Sequence, residues 1–305
     1  MTHAPSPVPG GPPPKAAPRR PALALPAGAC DGHCHIFGPF DRFPLPPDRS
    51  FTPHEAPEAA LRSLHGQIGI DRAVIVQSQG QGLDRRPLLE ALGTGAGRYR
   101  GVALIGPGTE PEEVALLAAA GVCGARFHFM PHLGAAPSAE AIRAVVDLVR
   151  PHGWHVALHM AGSGVADHEA FIRTIEAPVV IDHMGRPDPA EGADGPVPAA
   201  LRRLLDTGRV WVKISGAERL SRTGAPFRDA VPLAATLARH APDRVLWGSD
   251  WPHVNLHGPM PDDGDLVDWI AEAVPTEAGR RLLLVENPIA FFGFPNLTLS
   301  GRTTP

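Results

Sequence analysis

The sequence predicts an α/β protein built as a single (β/α)8 TIM barrel. Three observations lead there. Eight short β-branched runs alternate with amphipathic stretches, several of the runs are nearly continuous in apolar content, and the eight units together occupy about 270 residues. The predicted strands are Gly28–Phe37, Ala73–Gln77, Gly101–Ile105, Gly124–Phe129, His155–His159, Val179–Ile181, Val210–Ile214 and Val245–Gly248. The predicted helices between them are Pro57–Gly66, Arg85–Leu92, Pro111–Ala120, Ala139–Val149, Asp167–Ile175, Pro198–Leu205 and Ala230–Ala241, most of them punctuated by Gly or Pro. A doubly wound open sheet normally carries a Gly-rich phosphate loop after its first strand, and none follows Phe37.

The barrel is assigned to residues 26–296. Nine of the first 26 residues are proline, which removes backbone donors and favours extended geometry, so residues 1–25 are expected to form a disordered, proline-rich tail. Residues 297–305 read as a loose C-terminal tail. Arg19-Arg20 raises a twin-arginine export signal, but Pro21 to Ala27 is too short and too proline-broken to follow it as an apolar segment.

Composition narrows the function classes. The chain has 305 residues, 43% hydrophobic, with 28 basic and 32 acidic side chains and a net charge of −4, so no nucleic-acid partner is implied. No apolar run reaches membrane-spanning length. Three cysteines without metal-type spacing point to a reducing compartment, and a cytoplasmic location is expected. The oligomeric state is left open.

Polar residues fall where a barrel does chemistry, at the C-terminal ends of its strands. His33 and His35 close the first strand on one face, His159 ends the fifth, Asp182-His183 ends the sixth, and Asp250 follows the eighth. Arg126 lies within the fourth strand, and Glu218-Arg219 follows the seventh. Each feature alone has a structural explanation, a turn-forming Asp or a hydrogen-bonded His; the convergence of four strand ends favours an active site. Lys213, inside strand seven, is read as an ion-paired or snorkelling side chain rather than as a Schiff-base former.

The segments Asp31–Pro39, Ile181–Asp188 and Trp247–His253, with Phe43-Pro44, Val74–Gln77 and Pro261–Gly264, resemble the amidohydrolase superfamily, in its 2-pyrone-4,6-dicarboxylate hydrolase-like lactonase branch. The resemblance spans nearly the whole ordered chain. It implies a distorted TIM barrel that opens a cyclic ester with water, with a small anionic lactone as partner. Asp250, His183, His33 and His35 match the branch's active-site positions: Asp250 as general base for water, the histidines polarising the carbonyl. Arg126, Arg186 and Arg219 match arginines near the substrate. His132 stands where a further arginine is expected, Phe51 and His159 where tyrosines are, and Gln79 where a serine is. Gln79, His132 and His253 are counted with the arginines as substrate contacts.

The resemblance leaves the cofactor open between none and one divalent ion, Zn or Mn. The lactonase branch works without a metal, but His33, His35, His159 and Asp250 together would make an ordinary ligand set. Two alternatives to a lactonase stand beside it. One is a metal-dependent non-oxidative decarboxylase of the aminocarboxymuconate semialdehyde decarboxylase type. The other is a non-catalytic barrel that binds a small anion.

Overall fold

A computed structural model describes residues 10–294 of the chain. Eight strands form one all-parallel sheet in sequence order: β1 (Cys30–Cys34), β2 (Arg72–Val76), β3 (Tyr99–Leu104), β4 (Val122–His128), β5 (His155–His159), β6 (Val179–Ile181), β7 (Val210–Lys213) and β8 (Val245–Leu246). All eight predicted strands are present, with ends shifted by up to a few residues: β2, β3 and β4 begin one or two residues earlier than expected and β1 and β8 are shorter. Helices cover the outside, and the apolar residues between helices and strands make one continuous shell.

The barrel closes through backbone hydrogen bonds just beyond β8. Gly32 donates to the Trp247 carbonyl at 2.7 Å, Asp250 to that of His33 at 2.8 Å, and His35 to that of Trp251 at 2.7 Å. Two glycines let the chains come this near: a Cβ on Gly32 would lie 2.7 Å from the Trp247 oxygen, and one on Gly248 would lie 2.6 Å from His33 N and Cβ. Asp31 fastens the same seam. Its carboxylate accepts from the Ser249 amide (2.9 Å), the Ser249 hydroxyl (2.5 Å) and the His33 amide (3.0 Å).

Strand alternation sorts the barrel interior into layers. Val74, Val76, Val102, Ala157, Val180 and Leu246 fill its middle, with Cys30, Phe292 and Phe294 joining the same cluster. A register shift in β1 between Asp31 and Cys34 breaks the alternation, so Cys30 belongs to the interior cluster and Cys34 to the outer shell. His155 packs its ring against Phe291 and Phe292, in space that Gly124 leaves open. Polar side chains occupy the opposite, C-terminal end.

Two expectations are corrected, and one helix was not foreseen. The helix predicted over Asp167–Ile175 is two short turns, Gly164–Asp167 and Glu169–Ile172, interrupted at His168, whose backbone leaves the helical region. A helix at Asp263–Ala273 went unpredicted, although Asp262 caps it and Leu266, Val267, Trp269, Ile270 and Ala273 supply its buried face. The proline-rich tail carries no helix or strand over residues 10–25, but this part is held against the barrel. Arg19 pairs with Asp265 and Asp268 at 2.6 Å each, and the Leu23 amide donates to Asp268 at 2.7 Å. The rest of that tail and the predicted tail at 297–305 lie outside the described residues. Among the described residues, no helix is long and apolar enough to cross a membrane.

Candidate active site

A cavity of about 450 Å³ opens at the C-terminal end of the barrel. His35, Gln79, Arg126, His132, His159, His183, Arg186, Arg219 and Asp250 all line it. His33 lies just beneath, fully buried. His253 does not line it: its Nε2 meets Asp263 at 3.1 Å and its Nδ1 stands 3.8 Å from Glu218, all of it buried. The expected substrate contact at His253 is thus corrected: two carboxylates enclose its ring away from the cavity, which spacing along the chain could not show.

Asp250 is the hub. It sits at positive φ (61°), its Oδ1 lies 3.3 Å from His35 Nε2 and 3.6 Å from His33 Nε2, and its Oδ2 lies 3.7 Å from His183 Nε2 and is bonded by Arg219 Nε. Burial alone would raise its pKa, but Arg219 and the surrounding histidines hold it well below the usual carboxylate range. Glu218 stands behind Arg219 at 3.5 Å, so charges alternate along Asp263, His253, Glu218, Arg219 and Asp250.

A second ionic cluster lies deeper. Lys213 Nζ is 3.1 Å from Asp182 Oδ1 and 2.9 Å from His33 Nδ1, and Arg126 reaches Asp182 Oδ2 at 3.2 Å. Burial opposes ionisation of Asp182, yet Lys213, His33 and Arg126 keep its pKa well below normal. Lys213 is thus ion-paired, as the sequence suggests. Arg126 and Arg219, expected to grip the substrate, each spend part of their guanidinium on a carboxylate.

Arg186 is different. Its side chain has no hydrogen-bond or ion-pair partner among the described residues, and it lines the cavity. Burial, and then Arg219, push its pKa down to about 10 against a partial offset from Asp250 and Glu218, so it stays cationic at neutral pH with no carboxylate in direct contact. Its place comes from the end of β6, where His183, Met184, Gly185 and Arg186 all have positive φ. Each non-glycine residue there costs roughly 1–2 kcal/mol. The bond from the Gly162 amide to the Arg186 carbonyl, the His183–Ser215 contact at 3.0 Å and the burial of Met184 hold the turn.

The donor atoms of His33, His35 and Asp250 lie within 4.8 Å of one another, close enough to meet on one cation. His159 belongs to no such group; its Nδ1 faces His128 Nδ1 at 3.1 Å, because β4 and β5 set these two residues side by side. The four-ligand set expected from the sequence is therefore not assembled. His35 suits a ligand, since its Nδ1 donates to the Val76 carbonyl and leaves Nε2 free. His33 does not. Lys213 Nζ at 2.9 Å and Asp182 Oδ1 at 3.3 Å crowd its Nδ1, and the Arg126 guanidinium stands 3.4 Å from its Nε2, the nitrogen a cation would need.

Sequence reasoning missed His128, Ser50, Ser78, Leu133, Val254, Asn255 and His257 as lining residues. His128 was findable, being two residues beyond Arg126 on the same strand face. The others sit on loops that no strand periodicity reaches.

The comparisons with known proteins agree with this picture. The family model described as Amidohydrolase matches residues 30–294. A 2-pyrone-4,6-dicarboxylate hydrolase of Comamonas testosteroni is 39% identical over 286 residues, covering 91% of this chain and 94% of that protein. A 4-sulfomuconolactone hydrolase of Hydrogenophaga intermedia is 35% identical over 274 residues, covering 89% and 90%. A solved apo structure from Agrobacterium tumefaciens superposes with a TM-score of 0.80 at 32% identity, covering 91% of this chain and all of that one.

Proposed function

The chain belongs to the amidohydrolase family, and from that premise we propose that it opens the ring of a lactone bearing at least one further anionic group. The observation that carries the anionic part is Arg186, a cavity-lining cation whose side chain has no hydrogen-bond or ion-pair partner among the described residues. A carboxylate or sulfonate on the substrate supplies that charge and the bidentate geometry a guanidinium prefers. Two relatives support the reading, since both are named for lactones or pyrones that carry such groups.

Water attacks the lactone carbonyl carbon while Asp250 takes one of its protons. Asp250 is suited to this by being ionised throughout the neutral range and by lining the cavity. Negative charge developing on the carbonyl oxygen is met by Arg126, whose Nη1 has no partner among the described residues. The bond from the carbonyl carbon to the ring oxygen then breaks, and the proton held by Asp250 passes to that oxygen. The new carboxylic acid ionises at neutral pH, releasing one proton per turnover.

A divalent ion bound here would polarise the carbonyl or lower the pKa of water. The residues suit that poorly, because His33 has a cationic side chain, Lys213 or Arg126, beside each ring nitrogen and three arginines already bring positive charge to the same cavity. No step is therefore assigned to a metal.

Proton release in weak buffer tests the reading, with 2-pyrone-4,6-dicarboxylate, muconate-type lactones and neutral sugar lactones as substrates. Turnover of an anionic lactone, falling about a hundredfold or more in Asp250→Asn, is expected. Preference for the neutral lactones, or an unimpaired Asp250→Asn enzyme, would overturn it. Carbon dioxide release without ring opening would point instead to a decarboxylase.

A further inference from the structure

We propose that Gly10 and Gly11, in the described part of the proline-rich segment, are positioning residues that hold two walls of the substrate cavity together. The inference rests on the cavity being the substrate site. The Gly10 amide donates to the Thr52 carbonyl at 2.9 Å, and the Gly10 carbonyl accepts from the Asn255 amide at 2.6 Å. One residue therefore joins the loop after β1 to the loop after β8. Phe51, next to Thr52, and Asn255 itself both line the cavity. His54 adds a hydrogen bond from its Nε2 to the Gly11 carbonyl at 3.1 Å.

The contact requires glycine. A Cβ on Gly10 would lie 2.5 Å from the Thr52 oxygen, and one on Gly11 would lie 2.3 Å from the Leu256 oxygen, with Gly11 at φ +90°. Backbone atoms on both sides leave nothing flexible to yield. The segment is anchored about nine residues further along, where Arg19 spans Asp262, Asp265 and Asp268 and its carbonyl passes close over Gly264. These aspartates lie at the cap and on the first turns of the helix that follows the β8 loop, so the anchor and the clamp act on the same rim. Without the clamp, the Phe51 and Asn255 walls have no direct backbone link through residue 10, and the substrate meets a looser mouth.

The experiment uses the full chain with Gly11→Ala and, separately, Arg19→Ala, an exposed substitution that leaves the barrel core untouched. Amide hydrogen exchange is followed without substrate, and KM and kcat are measured on 2-pyrone-4,6-dicarboxylate. Exchange in the peptides covering residues 49–56 and 251–258 is expected to rise about tenfold or more, with the barrel strands unchanged. KM should rise about fivefold or more while kcat stays within about twofold, because Asp250 and Arg186 are not touched. Unchanged exchange in Gly11→Ala would show that the segment does not hold the rim. Raised exchange with unchanged KM would show that it holds the rim but not the substrate, and either result overturns the proposal. The exchange readout needs no substrate, so a failure to turn over lactones strikes the functional reading alone.

Discussion

His35 Nδ1 donates to the Val76 carbonyl oxygen at 2.6 Å, and this bond decides what the ring offers Asp250 on its other side. A carbonyl can only accept, so Nδ1 carries a proton and Nε2 is the ring atom turned to Asp250 Oδ1 at 3.3 Å. The Asp250 carboxylate is buried and draws positive charge around it. Arg219 on Oδ2 and the guanidinium of Arg126 near His33 supply that charge within the protein.

The unpaired Arg186 should dominate substrate affinity. Arg186→Ala is expected to raise KM for an anionic lactone about tenfold to a hundredfold, the worth of a charge-assisted hydrogen bond. Arg126→Ala should act more on kcat. Steady-state kinetics on both variants separates the two roles, and an unchanged KM in Arg186→Ala would remove Arg186 from substrate binding.

Metal content gives a second test. Elemental analysis of protein purified without chelators should find less than about a tenth of an equivalent of Zn or Mn, with activity unchanged by adding either. One tightly held equivalent, lost in His35→Ala and retained in His159→Ala, would instead show that the His33–His35–Asp250 group takes a cation despite Lys213.

Stability should peak between mildly acidic and neutral pH. Burial pushes His155 down to about 3, so its unfolded form gains a proton below about 6.5 that the native form refuses. Stability therefore falls as the pH drops from about 6.5 toward 3. His253 behaves oppositely. Burial would lower its pKa, but Asp263 and Glu218 raise it to about 10, so its contribution is complete below about 6.5 and is lost as the pH climbs toward 10. Urea midpoints at acidic, neutral and alkaline pH should show both limbs, and His155→Leu should flatten only the acid one.

The β8–β1 seam makes a fourth prediction. Gly248→Ala places a methyl group against His33 backbone and Cβ, neither of which can move without parting the seam. A loss of about 1–3 kcal/mol in urea unfolding is expected, together with reduced activity, since Asp250 hangs from the same bonds. Wild-type stability and activity would mean the seam can open at little cost.

Much of this was legible in the chain itself. Strand ends could be read because buried parallel strands have little structural use for His33, His35, His159 or Asp182, so polar residues there stand out against an apolar pattern. Phe37 and Gly38 without a phosphate loop excluded the main competing fold. His128 was within reach of the same alternation. The helix at Asp263–Ala273 had both its cap and its apolar face on display.

By itself, then, the sequence determined the barrel, the end at which its chemistry lies and the residue types gathered there, because alternation and punctuation are local properties of a chain. Only the tertiary structure decided which charges find each other. Arg126 meets Asp182 across 56 residues, Lys213 meets His33 across 180, and Arg19 reaches Asp265 across 246. Ion pairing depends on distances of a few ångströms in space, which no spacing along the chain encodes. That is why Arg186, grouped with Arg126 and Arg219 in the sequence, is set apart from them only in space, and why Gly10 meets the loops that line the cavity.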